Sequence, residues 1–306
     1  MKKFLTTTTA AIALAVSACA GAAPLPASAN AAAQAAPAYD PAVFKLADED
    51  TTIYMLGTIH LLPEGHQWRT DTIDMVMAEA DELILEVNMG PEDAAKVQPV
   101  LMELGITPGQ PPIKERVAAE YHARFDEMAK KSGVPLPAFD MMESWFAGFI
   151  LMQVGLQELG LKATEGVEAV VRGEFKDAGK PIGELETLRQ QLGFFDTLSE
   201  ETQREFLSST LSDPAEGRAQ FDGMLAAWTR GDVDAIEATF VEAQMSEELQ
   251  AALLTRRNAN WAEWLDARLD QPGTILVAVG AGHLAGDGSV IDMLEDKGFT
   301  ISRVDD

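Results

Sequence analysis

"YMLGTIH", residues 54–60, and "VAVGAGH", residues 277–283, decide how the chain folds. Each is a short apolar run that breaks at a glycine, passes two residues and stops at a histidine. Together they use two of the chain's four histidines. The first belongs to "TTIYMLG", β-branched and aromatic, which reads as a buried strand. After a loop with Pro63 and Gly65, Thr70 or Asp71 can cap a helix to about Ala80 that places Ile73, Val76 and Met77 on one face. "DELILEVN" then predicts a second strand, Glu82 to Val87. The second motif repeats this plan. A buried strand spans Thr274 to Val279, followed by Gly280-Ala-Gly282-His283 and a Gly-rich loop. A helix from about Ser289 to Asp296 ends at Gly298, and Phe299 to Val304 form another strand.

The expected fold is therefore α/β (α+β), a mixed central sheet built from two pseudo-repeated halves. The segment between the halves reads as a large helical insertion, so helix should exceed strand. "PEDAAKVQPVLMELGI" and "VAAEYHARFDEMAKKSG" have helical spacing with Gly105 and Gly133 as terminators. "MMESWFAGFILMQVGLQELGL" is a buried helix rather than a membrane span, since Glu143, Gln153, Gln157 and Glu158 interrupt its apolar run. "KPIGELETLRQQLGFFDTL" is a short strand that turns into a helix at Leu185-Glu186-Thr187. Residues 199–268 are helical again, with Trp228, Phe240, Trp261 and Trp264 as core candidates.

The N-terminus is a different kind of segment. Met1-Lys2-Lys3 followed by an uncharged run to Ala18 reads as a signal peptide, residues 1–18, which implies export. Cys19, the sole cysteine, lies in "VSAC", similar to a bacterial lipobox; the alternative is cleavage farther on, after Ala27 to Ala29. "GAAPLPASANAAAQAAPAYDP" is Ala/Pro-rich without apolar periodicity, a linker or tether over residues 19–42 ahead of one domain, residues 43–306. Export with possible acylation at Cys19 places the chain in the periplasm or on the outer membrane's periplasmic face.

Charge bounds the partners. Lys and Arg number 23 against 49 Asp and Glu, a formal net charge of −26. Such a surface repels phosphate backbones and anionic headgroups, which argues against nucleic acid and leaves membrane contact to the lipid anchor alone.

Chemistry points to the strand ends. There is no G-x-S-x-G elbow, no H-E-x-x-H, no Walker A and no cysteine after the leader to act as a nucleophile. In open α/β sheets, ligands bind beyond the carboxyl ends of the strands. His60, Glu86 and His283 all follow such ends, and two imidazoles with a carboxylate suit a catalytic divalent metal (Mn, Co or Zn) with a position open for water. Each residue also has a structural reading: a histidine closing its turn, a glutamate in a buried ion pair. An arginine of Arg256-Arg257-Asn258 could stabilise an oxyanion or orient Glu86, or form a surface salt bridge on its helix; Glu64 or Glu86 could serve as general base. His66 is an extra candidate, and His122 should face solvent.

These residues resemble the TraB/PrgY/GumN family, related to the animal Tiki proteins. The resemblance rests on "YMLGTIHLLPEG", "ADELILEVN", "AGKPIGELETLRQQLGFFDTL", "RRNANWAEWL" and "TILVAVGAGHLAGDGSVIDMLEDKGFTI". It carries over two Gly-x-x-His motifs, Gly57 with His60 and Gly280 with His283, together with Glu86 and Arg257. It implies a divalent-metal-dependent hydrolase acting on a peptide or protein. Where family members often read Gly-Ile-Asp before the "GKPI" strand, this chain has Gly166-Val167-Glu168, a carboxylate one methylene longer. More distant relatives, erythromycin-esterase-like hydrolases and a haem-binding lipoprotein, keep a second expectation open: a non-enzymatic periplasmic lipoprotein that holds a peptide, haem or another small ligand in the same pocket.

Overall fold

The computed structural model describes residues 39–242 and 245–304. The expected signal peptide, Cys19 and the linker as far as residue 38 lie outside the described residues.

A hairpin opens the domain. Strand β1 (Val43–Ala47) pairs antiparallel with β2 (Thr51–Thr58), and Asp48 makes the turn by accepting from the backbone N–H of Asp50 and of Thr51. A two-residue strand β3 (Leu62–Pro63) precedes the Asp71–Glu79 helix, whose N-cap is Thr70 through its hydroxyl to Ile73 N–H. Strand β4 (Glu82–Leu85) ends just before Glu86. The helical insertion contains two short strands, β5 (Leu161–Lys162) and β6 (Ile182–Glu184). Strand β7 (Gly273–Gly280), the Val290–Asp296 helix capped by Ser289, and β8 (Ile301–Arg303) close the chain.

The main sheet has the order β6-β4-β7-β2-β1-β8. Its four strands β6, β4, β7 and β2 run parallel, while β1 is antiparallel to both of its neighbours. The mixed sheet and the excess of helix agree with the sequence reading. The two motif strands are direct neighbours, paired with Gly57 opposite Val279 and Thr58 opposite Gly280. The halves interleave rather than standing side by side, because β4 pairs with β7 whereas β8 lies at the far edge on β1.

Alternation along the strands sends side chains to two cores. Tyr54, Leu56, Leu83, Leu276 and Ala278 face the larger one, under the insertion. Ile53, Met55, Ile84, Ile275, Val277 and Val279 face a smaller one closed by Trp261, Leu265, Val290 and Leu294. Trp228 and Trp261 are fully buried, whereas Phe240 and Trp264 are only half-buried.

The apolar run at residues 141–161 becomes the Ser144–Glu158 helix. It is apolar nearly all round because it lies between two cores: Trp145, Phe149, Met152 and Leu156 join the main one, and Ala147, Leu151 and Val154 join a third within the insertion. Among the described residues no helix is long and apolar enough to cross a membrane.

Three features differ from expectation. Strand β1 and the β3–β5 pair are not evident in the sequence, and the strands beginning at Glu82 and near Phe299 are shorter than their apolar runs. His122 does not face solvent freely. It is half-buried, and its Nε2 lies 2.8 Å from Lys114 O and 3.0 Å from Val117 O, satisfying carbonyls at the end of the short Ile113–Arg116 helix.

Candidate functional site

The four parallel strands each deliver one side chain beyond their carboxyl ends: His60 after β2, Glu86 after β4, Glu186 after β6 and His283 after β7. These four meet around one guanidinium, that of Arg257, from the Arg256–Arg268 helix. A π-helical turn, Ala251–Thr255, leads directly into that helix and sets the rotation at which Arg257 enters the site.

Every N–H of Arg257 has an acceptor. Nε bonds Glu186 at 2.9 and 3.1 Å, and Nη2 bonds Glu86 Oε2 at 2.6 Å and Glu186 Oε2 at 2.9 Å. Nη1 reaches Leu253 O and His283 Nε2, each at 3.1 Å. The expectation of an arginine that meets a developing oxyanion is thus not how the structure uses it. With its five donors engaged, Arg257 fixes Glu86 and Glu186 and opposes the effect of burial on both; for Glu186 burial still wins and raises its pKa. Trp261 supports both partners: its indole N–H donates to Glu186 at 3.0 Å, and its ring lies under the guanidinium at 4.7 Å.

Glu86 is buried and nearly saturated. Besides Arg257, its Oε2 accepts from Gln191 Nε2 at 3.1 Å, and its Oε1 accepts the backbone N–H of Gly280 at 2.7 Å. Burial opposes its ionisation, but Arg257 and the Gly280 N–H outweigh that and hold its carboxyl well below the usual carboxylate range. It is therefore a poor proton acceptor near neutrality.

The two imidazoles are oriented by outer partners. Asn258 Nδ2 donates to Gly288 O at 2.8 Å, which turns Asn258 Oδ1 toward His283 Nδ1 at 2.6 Å. His283 therefore carries its proton on Nδ1 and presents the Nε2 lone pair inward. Burial, followed by the Arg257 charge, pushes the His283 pKa down to about 3. On the other side, His60 Nδ1 lies 2.5 Å from Glu168 Oε1, which also accepts the Thr58 hydroxyl. Burial disfavours the charged form of His60, but Glu168 and then Glu86 outweigh it and hold the pKa up at about 9. Glu168 reaches His60 because the Val167–Asp177 helix begins against the exit of β2, where Val167 N–H donates to Ile59 O at 3.1 Å. Only a glycine fits at residue 166 in that approach: a Cβ there would stand 2.0 Å from His60 O.

The Nε2 atoms of His60 and His283 each lie 3.9 Å from Glu86 Oε1. The gap between them opens over Gly280. A Cβ on that residue would lie 3.2 Å from Glu86 Oε1, 3.3 Å from His60 Nε2 and 3.6 Å from His283 Cδ2. The two motif glycines thus serve different ends, since Gly57 packs against Ala281, with 3.1 Å available to a Cβ, and its carbonyl accepts from Trp228 Nε1. Gly282 makes room for the Phe240 ring, whose nearest atom would stand 2.3 Å from a Cβ there. Among the described residues, no three His, Cys, Asp or Glu side chains are spaced as a closed metal-holding cluster. At 3.9 Å, His60, Glu86 and His283 converge without closing.

Two expected candidates stand elsewhere. Glu64 is exposed and ion-paired with Lys162 at 2.5 Å, outside the cluster. His66 is half-buried between Tyr39 and Trp228, with Nε2 3.4 Å from the Thr229 hydroxyl. The sequence reading did not assign a site role to Gln191 or Glu168. Glu168 carried a signal, the carboxylate two residues after Gly166. Gln191 carried none beyond its place in the first turn of the Leu188–Asp196 helix, which Thr187 caps.

A sequence profile of the TraB/PrgY/gumN family matches residues 42–303. The chain belongs to the TraB/PrgY/gumN family. Its relatives within that family include the uncharacterized protein YbaP of Escherichia coli (strain K12), 24% identical over 254 residues that cover 83% of this chain and 92% of YbaP. YbaP of Shigella flexneri is likewise 24% identical, over 79% of this chain and 87% of its own length. No solved structure matches the chain. For this TraB/PrgY/gumN chain, both Gly-x-x-His motifs, Glu86 and Arg257 fall in one cluster at one end of one sheet.

Proposed function

We propose that this TraB/PrgY/gumN protein is an exported divalent-metal-dependent hydrolase of peptide-like substrates. The observation that carries the reading is the convergence of His60 Nε2, His283 Nε2 and Glu86 Oε1 on the gap above Gly280.

The donor set suits a divalent cation such as Mn, Co or Zn in two respects. Both imidazoles give their Nδ1 to an oxygen acceptor, Glu168 or Asn258, which leaves Nε2 as the inward lone pair; metal-binding histidines are commonly oriented this way. The cluster holds three carboxylates, Glu86 and Glu186 on Arg257 and Glu168 on His60, against one guanidinium, so it is negative when both imidazoles are neutral. Two features oppose binding: Arg257 Nη1 beside His283 Nε2, which a cation would have to displace, and the proton that Glu168 and Glu86 favour on His60, which binding would have to release. His60, His283 and Glu86 would hold the metal, which when bound supplies Lewis acidity toward a carbonyl and acidifies water.

The chain's own contribution is alignment. Arg257, Gln191 and Gly280 N–H lock the Glu86 carboxylate. Asn258 and Glu168 set the two imidazole tautomers, and the apolar walls beside the site limit water. Glu86 acts as a ligand rather than a base, given its low pKa and its partners.

The test compares wild type with His60→Ala and His283→Ala after chelation and reconstitution with Mn2+, Co2+ or Zn2+. Metal content and calorimetric affinity are measured alongside cleavage of a peptide library. The expected result is one equivalent bound by wild type, at least tenfold weaker binding by either variant, and metal-dependent cleavage. Equal background binding by all three would overturn the reading. Haem uptake by wild type with a Soret band lost in His60→Ala would instead favour the non-catalytic binding protein.

A further inference from the structure

One wall of the site remains unexplained by the metal-centred reading, and it comes from the helical insertion. A cavity of about 800 Å³, counted with its open mouth, adjoins His60, Glu86 and His283. Its sides are Leu156, Phe221, Ile236, Phe240, Leu253 and Leu254, contributed by three helices and the π-helical turn ahead of Arg257. Among the described residues, polar side chains line it only at its floor, where Thr58, His60, Glu86, Arg257 and His283 stand.

We propose that this cavity is a specificity pocket for a neutral, apolar amino-acid side chain flanking the carbonyl that is cut. The proposal deepens the hydrolase reading and rests on it for where that carbonyl lies, but the pocket's chemistry can be tested without the metal.

Three observations select the occupant. The described side chains of the walls offer neither donor nor acceptor, so a buried Lys, Asp or Glu side chain would lose its hydration without replacement. Of the cationic groups described on the floor, Arg257 has all five N–H groups engaged by protein acceptors, and the charge of a protonated His60 is met by Glu168 and Glu86, so neither is left for an anionic group. The floor carboxylate of Glu86, backed by Glu186, repels anions as well. A branched aliphatic or aromatic group gains from every methylene it buries, by about fourfold in affinity each.

The division of labour follows the fold. Strand ends supply His60, Glu86, Glu186 and His283, while the insertion, joined to the main sheet at β6 and to β3 through β5, supplies the walls. A change in those helices would alter what is bound and leave the polar cluster in place.

The experiment uses the full-length domain in excess chelator and measures binding of N-acetyl amino-acid amides by methyl NMR shifts. The probes are the glycine, alanine, norvaline, leucine, aspartate and lysine amides, with hexanamide as a chain lacking the amino-acid backbone. Affinity should climb about fourfold per methylene from glycine to norvaline. The leucine amide should bind at least tenfold tighter than the glycine, aspartate or lysine amides. Leu254 is half-buried on the rim, so Leu254→Glu should flatten the series while Leu254→Met keeps it.

A flat series in wild type overturns the proposal, as does an equally tight aspartate or lysine amide. Hexanamide binding tighter than the leucine amide also overturns it, by assigning the pocket to an acyl chain. Because no metal is present, a rising series together with failed metal binding would retain the pocket and reject the metallohydrolase. Metal binding with a flat series would do the reverse.

Discussion

At the scale of single residues, His60 and His283 have the same motif and opposite electrostatic fates. His283 faces a guanidinium and is held neutral, whereas His60 lies between Glu168 and Glu86 and is held protonated when no metal competes. The stability consequences have opposite signs. For His60 the folded pKa of about 9 exceeds the unfolded value near 6.5, so its contribution is fully present below about pH 6.5 and is lost as pH rises through 9. For His283 the folded pKa of about 3 lies below the unfolded value, so stability is lost as pH falls from about 6.5 toward 3. The metal-free protein should therefore be most stable near pH 6.5 within these two terms. Urea melts between pH 6.5 and 9.5 should show an alkaline loss of about 2 to 3 kcal/mol from His60. Glu168→Gln keeps an acceptor for Nδ1 but removes the charge, so it should shrink that loss by more than half. A wild-type stability that stays flat across this range would falsify the assignment of His60 as the protonated partner of Glu168. Metal binding should show the matching signature, release of a proton below pH 9.

At the scale of elements, the legible parts were those in which one physical demand dominated. Strands β2 and β7 are buried on both faces and so read as continuous apolar runs; the Thr70 and Ser289 caps announce their helices. Strand β1 was not legible because Val43 and Leu46 are buried while Phe44 and Lys45 are half-exposed, which breaks the two-residue alternation of a strand. Its one local signal was the Asp48 turn. The convergence of His60 and His283 was readable from their strands, but the role of Arg257 was not. Its six hydrogen bonds depend on a π-helical turn that no periodicity reveals, and on Glu186 and Leu253 arriving from different elements. Removing the guanidinium should therefore be felt first as instability. Arg257→Leu leaves Glu86 and Glu186 buried without their counter-charge and should cost about 3 to 5 kcal/mol in urea unfolding. Adding Glu186→Leu should recover part of that loss, since it removes one stranded carboxylate. A single Arg257→Leu variant within about 1 kcal/mol of wild type would show that the two carboxylates do not depend on it.

At the scale of the whole molecule, the direction of β1 links the site to the N-terminal segment. Because β1 runs antiparallel to β2 with Val43 opposite Leu56, the chain enters the domain beside the carboxyl end of β2, the end at which His60 stands. Asp40 is fastened there: its N–H donates to Thr229 O at 2.8 Å, and its carboxylate pairs with Arg303 at 2.8 Å. If Cys19 is acylated, about twenty Ala/Pro-rich residues separate the lipid from that end of the sheet. Twenty residues of any chain reach at most about 70 Å. The site would then work close to a membrane surface, facing substrates at or near the lipid, while the excess of Asp and Glu, −26 over the full chain and more negative once Lys2 and Lys3 leave with the leader, would keep the domain off anionic headgroups. Intact-mass spectrometry of wild type expressed with its leader should show an acylated N-terminal Cys19 and sedimentation with membranes, and Cys19→Ser should be soluble with no acyl mass. An unmodified N-terminus downstream of Ala29 in wild type would sink the anchor and leave the site free in the exported compartment.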